Sequence, residues 1–118
     1  MYARDDSATA SHLQELPDGE HVTAAADAFR MLGDPTRLRI LWLLCRSESD
    51  VSSLVEQVGV ARPAVSQHLA KLRLAGLVAT HREGRRAVYR ARGGHVRRLL
   101  DEALQAADHH LAGTPDHD

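Results

Sequence analysis

The chain has 118 residues, 43% of them hydrophobic and 26% charged, with a formal charge of -1; that length bounds it to one domain with a modest core. Aromatic residues are scarce and Cys45 is the lone cysteine, so the core rests on Leu, Val and Ala and an internal disulfide framework is excluded. No apolar run nears the roughly 20 residues of a membrane span, and no hydrophobic signal core is present, so the expectation is a soluble cytoplasmic protein with no membrane partner.

The near-neutral total hides a segregation. Residues 61–98 hold ten of the fifteen Lys and Arg against one acid, Glu83, whereas residues 1–36 carry seven acids and two bases, and residues 99–118 carry five acids and no Lys or Arg. Such asymmetry points to a polyanion bound by the middle of the chain.

Residues 1–17 show no apolar period and are expected to form a flexible tail; residues 18–112 form the domain and residues 113–118 a short C-terminal tail. From Glu20 to Leu32, Val22, Ala25, Ala26, Phe29 and Leu32 recur at helical spacing. "GDPTR" then ends one helix at Gly33 and starts the next with Asp34 as cap and Pro35 in its first turn. Leu38, Leu41, Trp42 and Cys45 are expected to be its buried stripe, with Cys45 as core filler.

"VSSLVEQVGV" predicts a short helix with Val51, Leu54, Val55 and Val58 inward, broken at Gly59. "RPAVSQHLAKLRLAGLV" predicts another, with Pro63 in its first turn, Val65, Leu69 and Leu72 inward and Gly76 as its stop. Two short helices joined by a tight turn make a helix-turn-helix. "LVATHREGRRAVYRA" then reads as a β-hairpin tipped at Glu83 and Gly84, which in this position is a wing. The fold expected is mainly α with a β-hairpin wing: a winged helix-turn-helix.

In that module the second helix enters the major groove with its first turns at the base edges. Arg62, Ser66, Gln67, His68 and Lys71 are the candidate contacts there, with Ala64 also outward, and Arg82, Arg85 and Arg86 are the candidates on the wing. Arg suits guanine and Gln suits adenine, while wing arginines contact phosphate or the minor groove. The partner is double-stranded DNA. One reading head covers few base pairs, so a homodimer on a palindromic operator is expected, paired through the first and last helices.

The last helix, "HVRRLLDEALQAADHH", has an apolar stripe of Val96, Leu100, Ala103, Ala107 and Leu111. His95 and His109 fall within about 40° of one face but about 21 Å apart along it. They can share an ion only between two antiparallel copies; otherwise they are surface imidazoles. "DHH" lacks a second ligand cluster on a preceding strand, so an enzyme is not expected.

From about residue 20 to residue 111 the chain resembles the ArsR/SmtB family of bacterial metal-responsive repressors, through "LGDPTRLRIL", "VSSLVEQVGVARPAVSQHLAKLRLAGLV", "REGRRAVYR" and "HVRRLLDEAL". The resemblance implies a dimeric repressor whose DNA affinity changes on metal binding. The family's thiolate site falls on Asp50 and Ser52 and is absent, and its zinc-type site falls on Gly93, His95, Ala106 and His109, two of which offer no ligand. The nickel/cobalt-sensing (KmtR-type) branch is more similar, and it implies His95, Asp108, His109 and His117 as ligands, with His110 beside them. His12, His21 and Asp116 are further donors. The metal expected is nickel or cobalt, then zinc. The alternatives are a metal-independent regulator of the same type, or one whose metal response comes through an accessory protein.

Overall fold

Three aspartates start three of the five helices of the computed structural model, which describes residues 15–113. Expectations for residues 1–14 and 114–118, among them His12, Asp116 and His117, lie outside the described residues. Asp18 accepts from the His21 backbone N–H at 3.0 Å to begin α1 (Gly19–Leu32). Asp34 accepts from Arg37 N at 2.9 Å to begin α2 (Pro35–Arg46). Asp50 accepts from Ser53 N at 2.9 Å to begin α3 (Val51–Val58). Each carboxylate satisfies an otherwise orphaned donor and faces the positive end of the helix dipole.

Gly59, at φ 68°, ends α3 and turns the chain into α4 (Arg62–Leu74), which has no side-chain cap. Gly76, at φ 78°, ends α4 in a Schellman turn: Leu77 N donates to Leu72 O at 2.9 Å and Gly76 N to Arg73 O at 3.0 Å. Leu77 is buried beneath that turn, and the chain leaves directly into the wing, β2 (Val78–Glu83) and β3 (Arg86–Ala91). Helix α5 (Gly93–Ala112) follows.

The core is small and wholly apolar among the described residues. Helix α4 contributes Val65, Leu69 and Leu72, α3 contributes Leu54, α5 contributes Val96 and Leu100, and the sheet adds Val78 and Val88. In α2 the buried residues are Ile40, Leu41 and Leu44, whereas Leu38, Trp42 and Cys45 are only half-buried. Leu41 of the expected stripe is thus at its centre and the other three pack at the margin of the core; residues 40–45 are apolar all round the helix, so periodicity does not select which are fully covered. In α5 only the first half of the expected stripe packs, and Ala103, Ala107 and Leu111 are exposed. Of the expected inner residues of α3, Leu54 alone is fully buried.

A third strand, β1 (Ser49–Asp50), was not anticipated. It pairs antiparallel with β3, Ser49 opposite Tyr89 and Asp50 opposite Val88, giving the order β1-β3-β2. Two polar residues carry no alternation, so only the pairing defines them. The register brings Arg86 Nη1 to Asp50 Oδ2 at 2.7 Å, tying the wing to the cap of α3.

Two expectations follow. Leu69 has no exposed surface, so Leu69→Ala should destabilise the domain by about 2–5 kcal/mol in denaturant unfolding. The Ser53 backbone N–H, then the Arg86 side chain, hold the Asp50 carboxyl below its ordinary range. That stability is present above the ordinary carboxylate pKa and is lost as pH falls through the lowered folded value. Asp50→Asn keeps a capping side chain, so its Tm should fall less steeply than that of the parent between about pH 6 and about pH 2; parallel curves would refute the assignment.

Candidate nucleic-acid interface and metal ligands

Burying Val65, Leu69 and Leu72 turns the opposite side of α4 to solvent. Ser66, Gln67 and Lys71 are exposed there, and their side chains take part in no hydrogen bond or ion pair among the described residues. Ala64 is half-buried rather than outward. Arg62 donates to the Ser52 hydroxyl and braces the two helices of the helix-turn-helix. His68 lies at the inner edge of α4, its side chain 20% exposed and close to Asp34 and Arg37 of α2.

The wing arginines differ in the same way. Gly84 takes φ 64° at the first position of a two-residue turn between Glu83 and Arg86, where such hairpins favour glycine. The turn presents Arg82 and Arg85, both exposed and outside any ion pair among the described residues. Arg86 is instead held by Asp50, at 2.7 Å, and Glu83, at 3.1 Å. These carboxylates, Asp50 first, raise its pKa further. Hydrogen bonds from His81 and then Arg86 keep Glu83 below the ordinary carboxylate range.

The sheet also assembles Glu48, His81 and Glu83, whose ligand atoms lie within 4.8 Å of one another. Sequence reasoning missed this group because Glu48 reaches His81 only through the unforeseen β1. Glu83 is already shared between His81, at 3.1 Å, and Arg86, so the group is the acidic half of an ion-pair chain across the wing.

The expected metal ligands are distributed along α5. His95 is exposed in the first turn, where the Arg98 guanidinium donates to its Nδ1 at 2.8 Å. His109 is half-buried and His110 and Asp108 are exposed in the last turns, about 21 Å further along. The helix stays regular to Ala112, so Asp108 points about 100° from His109. His21 is committed to the α1 cap, 2.6 Å from Asp18 Oδ2. Burial pushes the Cys45 thiol up, leaving it a poor thiolate donor. The donors at the ends of α5 are imidazole and carboxylate, a set suited to nickel, cobalt or zinc, and its two halves lie too far apart along one helix to share an ion.

Beside these histidines the surface is apolar and open. No residue of α1 is buried, and Phe29 is 60% and Leu111 84% exposed. Leu32, Leu38, Trp42, Leu43, Val58 and Leu104 line an apolar groove of about 650 Å³. Arg46, stacked 3.7 Å over Trp42 and 3.7 Å from Asp101, holds α5 against α2 at the groove's edge.

The model of the bacterial regulatory protein arsR family matches residues 34–80. The chain is 48% identical over 102 residues to the HTH-type transcriptional regulator KmtR of Mycobacterium tuberculosis, covering 86% of this chain and 78% of that one. It is 37% identical over 99 residues to NmtR, an HTH-type transcriptional regulator of the same organism, covering 84% and 82%. Among solved structures, the homodimeric winged helix-turn-helix DNA-binding domain of a possible ArsR-family regulator from Mycobacterium bovis aligns with a TM-score of 0.74 at 30% identity, covering 90% of this chain and all of that fragment. The winged helix-turn-helix is thus part of a wider identity reaching most of the sequence, and the chain belongs to the ArsR family of bacterial transcriptional regulators.

Proposed function

We propose that this chain is a cytoplasmic homodimeric repressor whose operator affinity is set by nickel or cobalt, with zinc as the next choice, held between the last helices of two copies. The observation that carries it is the combination of uncovered apolar residues on α1 and α5 with imidazoles at both ends of α5. Helix α1 and the second half of α5 expose residues such as Phe29 and Leu111 that a monomer would leave in water. A second copy crossing antiparallel covers them and sets His95 of one protomer beside His109 of its partner. His110, Asp108 and His117 are the further donors.

On DNA, Ser66 and Gln67 meet base edges while Lys71, Arg82 and Arg85 meet phosphates. Arg62 and Arg86 contribute by holding the reading helix and wing in shape. Bound between the last helices, the ion ties the subunits together. The chain's part is to let that tie favour one dimer geometry over another, which changes the spacing of the two α4 helices; coupling of this kind is worth about 1–3 kcal/mol.

Calorimetric titration with nickel should give about one ion per chain and change operator affinity about 5- to 150-fold, and both effects should vanish in the His95→Ala/His109→Ala double variant. Weak, non-stoichiometric binding, or a metal that leaves DNA affinity unchanged, would support a regulator of the same fold with another signal. Gln67→Ala should cost about 1–3 kcal/mol and relax specificity at one base pair. Arg85→Ala should instead weaken all duplexes alike and reduce the slope of log K against log salt by about 0.9; unchanged slopes would remove Arg85 from the interface.

A further inference from the structure

The apolar face of α4 fixes how deeply the helix sits, but apolar contact is not directional. Polar joints at its rim add direction, and one of them joins three helices. Arg37, in the first turn of α2, donates through Nε to the Met31 carbonyl of α1 at 2.9 Å. Through Nη1 it reaches Nδ1 of His68 on α4 at 3.3 Å. The other ring nitrogen of His68 faces the Asp34 carboxylate at 3.9 Å, and Asp34 in turn accepts from the Arg37 backbone N–H. Three helices meet at one guanidinium.

A guanidinium has donors and no acceptor. In that contact His68 Nδ1 is the acceptor, which leaves Nε2 to carry the ring proton, toward Asp34. A second proton, at Nδ1, would set two donors against each other and open the Arg37 contact. Asp34, the cap of α2, and Arg37, in its first turn, are the charged groups beside the ring. The ring is partly exposed, so protons reach it from solvent.

We propose that His68 is a positioning residue for DNA binding: as a neutral acceptor it locks α4 to the corner between α1 and α2, and protonation releases the helix and weakens binding on the acid side. The proposal rests on α4 being the DNA-reading helix. It gives His68 a role separate from the exposed Ser66, Gln67 and Lys71. Because Met31 belongs to α1, the same joint links the proposed dimer face to the reading head.

The test uses the full chain with chelator present, and a duplex enriched by the parent protein from a random pool at about pH 8. His68→Asn offers an amide oxygen near the place of Nδ1 and does not titrate. It should hold affinity at about pH 8 to within about threefold of the parent. Between about pH 8 and about pH 5.5 the parent should lose about tenfold more affinity than His68→Asn. His68→Ala, with no acceptor, should bind more weakly at both. Nitrogen-15 NMR of the imidazoles in the free protein should show the His68 proton on Nε2. Parallel pH profiles for the parent and His68→Asn, or a proton on Nδ1 at neutral pH, would overturn the joint. If no duplex is enriched, the DNA-reading assignment fails instead, and the NMR result still decides whether Arg37 holds a neutral ring.

Discussion

The inner face of α4 is the constraint on which the rest depends. Val65, Leu69 and Leu72 are fully buried, and no polar side chain of the described residues is buried with them. Burial of this kind is strong and undirected, so it sets the plane of the helix and leaves orientation to polar contacts at the rim. Arg62 bonded to Ser52 and Arg37 bonded to His68 supply those contacts on either side. What remains outward is a short polar strip, Ser66, Gln67 and Lys71, of the size one reading head needs.

The wing shows why a count of positive charges overstates an interface. Its three arginines are close in sequence, yet Arg86 is bound to Asp50 and Glu83, while Arg82 and Arg85 are not so bound. The tip thereby neutralises its own acid, Glu83, which would otherwise repel phosphate. Exposed ion pairs contribute little to stability one at a time. Their use here is geometric: Asp50 both caps α3 and holds β3, so the helix-turn-helix and the wing keep one relative position.

The other side of the molecule is built differently. Helix α5 is anchored over its first half by Val96 and Leu100, and from Asp101 onward almost every residue is exposed. The second half of this 20-residue helix thus leaves apolar side chains such as Leu104 and Leu111 open to solvent. The histidines of α5 sit in the first turn and in the last turns, about 21 Å apart along the axis, which is why one chain does not assemble them.

How much of this was legible in the sequence varied with the range of the interaction. Aspartate caps, prolines in first turns, glycines at helix ends and the hairpin tip act within four residues, and the helices, the wing and the burial of Val65, Leu69 and Leu72 could be read from them directly. The inner face of α2 could not, because residues 40–45 are apolar on every side and only the neighbouring helices choose which are covered. Strand β1 exists only through its pairing with β3. The division of labour among the basic residues was equally hidden: His68 meets Arg37 across 31 residues and Arg86 meets Asp50 across 36. Residue types and periodicity determined the elements and their chemistry. Tertiary structure alone decided which of those residues face outward and which are held by a partner, because burial and charge pairing belong to contacts between segments that local sequence does not bring together.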